Sequence, residues 1–246
     1  MIDLHCHILP FVDDGAQNAA MACEMAEHSL RSGVDIVVAT PHCNIESMPG
    51  NFRSRNYWEV FGLFKALLKQ HRIPLTLLPG AELFAHGHNL EQLLEERQVV
   101  TLNNSRYLLT EFNFHSSAED MNAKLRLIRH KGYIPVIAHP ERYSAVQEFP
   151  QIVGHWFREG YVIQINKGSV LGRLGEGARQ TGLFLLRRGL AHVIASDAHH
   201  PYHRPTGFRS LTPVLSRYCS AEYAQLLLQT NPLRIISDKA VHSLDL

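Results

Sequence analysis

The sequence is short of several things, and each shortage closes off a class of protein. Its four cysteines, Cys6, Cys23, Cys43 and Cys219, show no CxxC spacing. That excludes a disulfide framework and a thiolate zinc cluster. No apolar stretch approaches the roughly 20 residues of a membrane-spanning helix, so no membrane insertion is expected. The start, Met1-Ile2-Asp3-Leu4-His5, lacks a basic segment followed by an apolar one, so no signal peptide is expected and a reducing cytoplasm is the expected compartment. Charge of one sign is missing too: the net charge is +1, which gives no general reason to bind nucleic acid or an acidic surface. Any attraction for an anion must be local. There is no Gly/Ser linker, low-complexity tract or fixed-period repeat, and 246 residues suit one barrel-sized domain over 1–246.

Histidine, by contrast, is plentiful, with 16 in the chain. Five of them sit in short motifs that each close an apolar run: His5 and His7 in Ile2-Asp3-Leu4-His5-Cys6-His7, His42 in Ala39-Thr40-Pro41-His42, His139 in Ala138-His139-Pro140, and His199 in Ser196-Asp197-Ala198-His199. Residues two apart on a strand share a face, so His5 and His7 can reach one ion while Cys6 points away.

The apolar runs cover 2–7, 34–40, 75–83, 107–112, 133–139, 161–165 and 192–197. They are rich in Val, Ile and Leu without strict alternation, as strands buried on both faces are. Helix-like segments lie between and after them, at 17–32, 55–71, 89–98, 118–131, 148–159, 175–189 and 220–229. Gly33, Gly132, Gly160 and Gly189 follow Arg, Lys, Glu or Ser at helix ends, a C-cap signal. Repeated strand–helix–strand units predict parallel pairing with right-handed crossovers. Seven such strands predict an α/β fold of the TIM-like barrel type, with an open doubly wound sheet as the alternative.

The strand ends favour the barrel. Each run finishes in polar or metal-competent residues, and active sites of such barrels lie at the C-terminal ends of the strands. Nine residues qualify as metal ligands: His5, His7, Asp14, His42, Glu82, Glu111, His139, Asp197 and His199. Five imidazoles and four carboxylates make a mixed N/O set, suited to Mn, Fe, Zn or Co rather than calcium. They exceed the need of one ion and suit two or three. Three divalent ions would slightly outweigh the carboxylates and a bridging hydroxide. Arg142 and Arg204 would add positive charge in a form matched to phosphate oxygens, which points to a phosphate monoester.

The remaining histidines read as ordinary: His28, His71, His130, His155 and His242 on helix faces or the surface, and His86, His88 and His192 in loops or at helix ends. His115, His200 and His203 fall near the expected mouth. Cys43 reads as a small apolar residue rather than a nucleophile, and Asp13 as a turn or capping residue beside Gly15.

These motifs resemble the polymerase-and-histidinol-phosphatase (PHP) superfamily. Within it, the chain closely resembles the bacterial metal-dependent protein-tyrosine phosphatases of capsule and exopolysaccharide synthesis (CpsB/YwqE type). The match runs nearly end to end, through Met1 to Pro10, Val12-Asp13-Asp14-Gly15, Ala39-Thr40-Pro41-His42, Pro79-Gly80-Ala81-Glu82, Glu111-Phe112, His139-Pro140-Glu141-Arg142 and Ser196-Asp197-Ala198-His199. The resemblance implies a distorted (β/α)₇ barrel with a trinuclear site, usually manganese-loaded. It implies His5, His7, Glu82 and Asp197 at a first ion, Glu82, Glu111 and His139 at a second, and Asp14, His42 and His199 at a third. It further implies Arg142 and Arg204 on the phosphoryl oxygens, direct attack by a hydroxide bridging the ions, and no phospho-cysteine. The implied partner is the phosphotyrosine-rich tail of a bacterial tyrosine kinase; oligomeric state stays open. Phe11 stands after Pro10 where many members have glycine. A small-molecule phosphatase of the histidinol-phosphatase kind, or an amidohydrolase, would share the opening HxH. An amidohydrolase commonly has a modified lysine at the end of the fourth strand, where this chain has Glu111.

Overall fold

The structure is a computed structural model that describes residues 1–48, 50–87 and 89–244. His88 lies outside the described residues. Seven strand positions alternate with helices: β1 (Ile2–Cys6), β2 (Ile36–Ala39 and His42–Cys43), β3 (Thr76–Pro79 and Glu82–Phe84), β4 (Tyr107–Glu111), β5 (Ile134–Ala138), β6 (Val162–Asn166) and β7 (Val193–Ala195). Every pairing between them is parallel.

β2 and β3 are each broken near their middle, for local reasons. Pro41 has no N–H to give the ladder. At Gly80 the Tyr57 hydroxyl accepts from the Gly80 N–H at 3.0 Å and donates to the Gly80 carbonyl at 2.8 Å, in place of a strand partner. The lower piece of β2 pairs with β1 on one side and with the lower piece of β3 on the other, and the upper pieces continue the sheet through β4 to β7. The ring closes where β7 runs past β1: Asp197 N donates to His5 O and His7 N to Ala198 O, both at 2.8 Å. The closure is uneven, because the lower piece of β3 does not pair with β4. Leu102, in a short 3-10 turn, packs there instead, within 3.2 Å of where a Cβ on Gly80 would sit. The fold is therefore the expected distorted (β/α)₇ barrel.

Most of the core lies between barrel and helices. A second cluster gathers Val38, Leu109, Val136, Val162 and Val193 from five different strands. A step of two residues up a strand keeps the same face. Val162 thus leads to Gln164 and Asn166, and Leu109 to Glu111. The apolar filling at one end gives way to polar side chains at the C-terminal end.

All four glycines expected to end helices hold positive φ, from 63° at Gly189 to 88° at Gly132. Some helices differ from expectation. The segment 148–159 is two helices, Ser144–Glu148 and Gln151–Arg158, because Phe149-Pro150 breaks the ladder between them. The segment 220–229 is Ala221–Gln225 running into a wider π turn, Leu226–Thr230, and then Asn231–Ile236. Thr212–Tyr218, a helix with proline in its first turn, was not anticipated. No helix among the described residues is long and apolar enough to cross a membrane.

Candidate metal centre

All nine expected ligands converge at the C-terminal mouth of the barrel. The register of β1 shifts between Asp3 and Cys6, a bulge that re-aims the residues beyond it. His5 Nδ1 donates to Gln164 Oε1 at 2.9 Å, and His7 Nδ1 donates to Asp13 Oδ2 at 2.7 Å. With Nδ1 donating in both rings, the neutral form of each leaves its Nε2 lone pair free. The two Nε2 atoms nevertheless lie 3.1 Å apart. Two such nitrogens face to face need a cation between or beside them, a proton or a metal ion. Glu82 Oε2 sits 3.2 and 3.3 Å from these nitrogens, and Asp197 Oδ1 3.5 Å from each. His5, His7 and Glu82 are completely buried.

The other groups continue the cluster. Glu82 Oε1 lies 3.1 Å from His139 Nε2, and Glu111 Oε1 3.5 Å from the same nitrogen. His42 Nδ1 lies 3.1 Å from Glu82 Oε2 and 3.5 Å from Glu111 Oε2. Asp14 Oδ1 is 3.5 Å from His42 Nε2 and 3.4 Å from His199 Nε2. Three sets have donor atoms mutually within 4.8 Å: His7, Asp14, His42 and His199; His5, His7 and Glu82; and His42, Glu82 and Glu111. The grouping departs from the implied one. His7 joins the Asp14 set as well as its own, His42 takes the place of His139 beside Glu82 and Glu111, and Asp197 falls in none of the three sets.

The charges fit cations. Burial pushes the Glu111 carboxyl up, and the nearby Glu82 and Asp197 carboxylates add to it, to about 9. Burial alone would lower His7, yet the charge and hydrogen bond of Asp13 outweigh it and raise the imidazole well above its ordinary range. Glu82 Oε2, His42 Nδ1 and His139 Nδ1 are buried without a hydrogen-bond partner. A buried polar atom left unpaired costs on the order of 1–3 kcal/mol, so a bare Glu82 oxygen among imidazole nitrogens fits a ligand better than a structural group.

Two ligand-bearing turns carry strain. His139 has φ 34° and Asp197 φ 49°, both left-handed, a region uncommon outside glycine. Each turn swings its side chain off the end of the strand and over the mouth. The loop after β1 closes tightly as well. Ala16 N donates to His7 O, Gly15 N donates to Asp13 Oδ1, and a Cβ on Gly15 would lie 2.2 Å from His7 O. Phe11 in the same loop sits at φ 67°, so the loop keeps a glycine-like conformation without glycine.

Both arginines reach the cleft, a cavity of about 160 Å³. Arg204 lies 2.5 Å and Arg142 3.4 Å from Asp197 Oδ2. Asn166 donates to the same oxygen. Arg204 is fixed by its backbone, since His199 N and His200 N both donate to its carbonyl. Neither His115, His200 nor His203 lines the cleft. His192 lies in the bend before β7, as expected, but it is buried, and its Nδ1 accepts from Ile163 N at 3.0 Å. Cys43 is buried and its thiol is pushed up by burial to about 12, as an inert residue would be.

Three supporting residues were not anticipated. Asp13 orients His7 and also accepts from His42 N at 3.0 Å, Gln164 orients His5, and Asn166 steadies Asp197. The polar Gln164 inside an apolar run, and Asn166 as the polar ending of that same run, were the signals available for two of them. Asp13 does serve the turn, accepting from Gly15 N, but its second oxygen takes His7 and His42, the latter 29 residues on.

Fold and cleft together define a (β/α)₇ barrel of the PHP type with a candidate polynuclear metal centre at its mouth. The chain matches the family model for capsular polysaccharide synthesis, CpsB/CapC, over residues 1–237, and it belongs to that family. It is 38% identical to the tyrosine-protein phosphatase YwqE of Bacillus subtilis (strain 168), over 95% of this chain and 93% of that protein. It is 32% identical to the tyrosine-protein phosphatase CpsB of Streptococcus pneumoniae, over 98% of this chain and 100% of that one. Its fold superposes with a TM-score of 0.89 and 34% identity on a chain from the crystal structures of YwqE and CpsB, described as unique metal-dependent tyrosine phosphatases; 99% of this chain and 97% of that one are covered.

Proposed function

We propose that this chain is a metal-dependent protein-tyrosine phosphatase, acting as one barrel domain over residues 1–246. The observation that carries this is the pair of opposed imidazole lone pairs, 3.1 Å apart and ringed by carboxylates, beside two arginines. Named family relatives with tyrosine phosphatase activity support the substrate.

Two or three divalent ions are its cofactor, manganese foremost, with iron, zinc or cobalt as substitutes. His5, His7, Glu82 and Asp197 would hold one, Glu82, Glu111 and His139 another, and Asp14, His42 and His199 a third. Bound there, such ions supply an acidified water as nucleophile and neutralise charge on the phosphoryl oxygens.

The chain's own residues do the rest. Arg142 and Arg204 offer planar forks of N–H donors to the phosphoryl oxygens. Asp197, flanked by both guanidiniums and by Asn166, holds them at the rim of the cleft. Asp13 and Gln164 fix the tautomers of His7 and His5, so that Nε2 and not Nδ1 faces the ions. No thiol takes part. The partner is the phosphotyrosine tail of a bacterial tyrosine kinase that controls polysaccharide export, met in the cytoplasm.

Purified protein loaded with Mn²⁺ should release phosphate from a phosphotyrosine peptide, faster than from histidinol phosphate, and EDTA should abolish release. No release with Mn, Co, Fe or Zn would overturn the proposal. Preference for histidinol phosphate would move it to the small-molecule phosphatases.

A further inference from the structure

The cleft that holds the candidate ligands has ten lining residues, and nine of them are ionisable. The exception is Phe114. An exposed apolar ring inside so charged a pocket has no hydration of its own to gain there, and its 36% exposed surface is open to whatever enters.

The ring is held on several sides. The Arg142 guanidinium stands over it, 4.5 Å from the centroid. The His139 and Tyr143 rings lie 6.0 and 6.1 Å away. Its backbone is tied down as well: Ser144 N donates to Phe114 O at 2.8 Å, and Ser116 N to Asn113 O at 2.9 Å. Tyr143, in turn, donates through its hydroxyl to Ala138 O and accepts from Phe112 N. Phe114 is therefore a fixed platform, placed before any ligand arrives, and ordering it on binding costs little.

We infer that Phe114 is the residue that selects an aryl ester, by giving the phenyl ring of phosphotyrosine an aromatic wall beside the arginine that grips its phosphate. The inference rests on the phosphatase reading above. A phosphoryl group held by Arg142 has its ester substituent next to whatever adjoins Arg142, and that is the Phe114 ring. A planar ring can meet it edge-on or offset, at centroid distances of about 4.5–7 Å. The single methylene of phosphoserine is too short to cover it. Such an aromatic pair is worth about 3- to 10-fold in discrimination.

The test compares Phe114→Ala, Phe114→Leu and Phe114→Tyr with the parent, all Mn-loaded. One readout is kcat/KM on a phosphotyrosine and a phosphoserine peptide of the same sequence. Leaving-group chemistry cancels, because the same two esters are compared in every variant. The other readout is calorimetric affinity for phenylphosphonate against methylphosphonate, which needs no turnover. Phe114→Ala and Phe114→Leu should each cut the phosphotyrosine preference about 3- to 10-fold and remove the advantage of phenylphosphonate, and Phe114→Tyr should restore both. An equal loss on both esters would mean that the ring only positions Arg142, and would overturn the inference. So would an unchanged ratio. Should the parent cleave neither peptide, the phosphatase reading falls, while the phosphonate pair still decides the role of the ring.

Discussion

His192 and His7 are both buried histidines of one barrel, at opposite ends, and their surroundings drive them apart. His192 precedes β7 at the apolar end. Its Nδ1 accepts from Ile163 N, its ring stacks on Phe157 at 4.6 Å, and burial pushes its pKa down to about 4. His7 follows β1 at the mouth. Its Nδ1 donates to Asp13, and its Nε2 faces His5, Glu82 and Asp197. Acceptor at Nδ1 makes a neutral core residue; donor at Nδ1 with Nε2 turned to the mouth makes a candidate ligand. The partner of the second nitrogen, rather than burial, separates a structural histidine from a functional one.

Substitutions at five positions would break or sharpen that contrast. The largest effect is expected at the mouth. His5→Ala or Glu82→Ala should lower kcat/KM on a phosphotyrosine peptide by on the order of a thousandfold, with circular dichroism and melting of the metal-free protein near the parent. Retention of activity would remove the distinction between the two ends.

His192 should instead show itself in stability. Its folded pKa is below the unfolded one, so below about pH 6.5 the unfolded chain binds a proton that the folded chain refuses. Stability should therefore fall as pH drops from about 6.5 to about 4, by up to roughly 3 kcal/mol from this group. Urea titrations of the metal-free parent and of His192→Gln, which keeps an acceptor for Ile163 N, should differ in that window and converge above it. Identical acid limbs would show that His192 is not held neutral.

Asp13→Asn probes the orienting partner alone. It should lower metal affinity or kcat/KM about 10- to 100-fold, less than loss of a ligand but more than a surface change. Dialysis against a metal buffer separates the two. Phe11→Gly should have the smallest effect. Relief of the left-handed backbone at φ 67° should outweigh the added freedom of the unfolded chain and stabilise by about 0.5 kcal/mol, seen as a higher Tm, whereas Phe11→Ala should not.

Much of this was legible beforehand because it rests on local chemistry. The seven strands showed as Val/Ile/Leu runs, and glycine marked the helix ends at 33, 132, 160 and 189. The nine ligand-type residues showed because histidines and carboxylates are out of place at the ends of buried strands. What did not show depends on partners distant in sequence. Asp13 reads as a turn until His7 and His42 are brought to it, and His192 reads as an ordinary loop residue, with nothing to show its burial, until Ile163 takes its nitrogen. Phe114 carried no motif at all, and only the lining of the cleft sets it apart.

By itself, then, the sequence determined the strand–helix alternation, the barrel class and the kind of atoms that crowd its mouth, since periodicity and residue type act over a few neighbours. The tertiary structure alone decided which imidazole nitrogen is bare, which carboxylate bridges which rings, and which aromatic ring faces the cleft. Those are matters of a few ångströms between β1, β3, β6 and β7, and only closure of the ring brings those strands to one place.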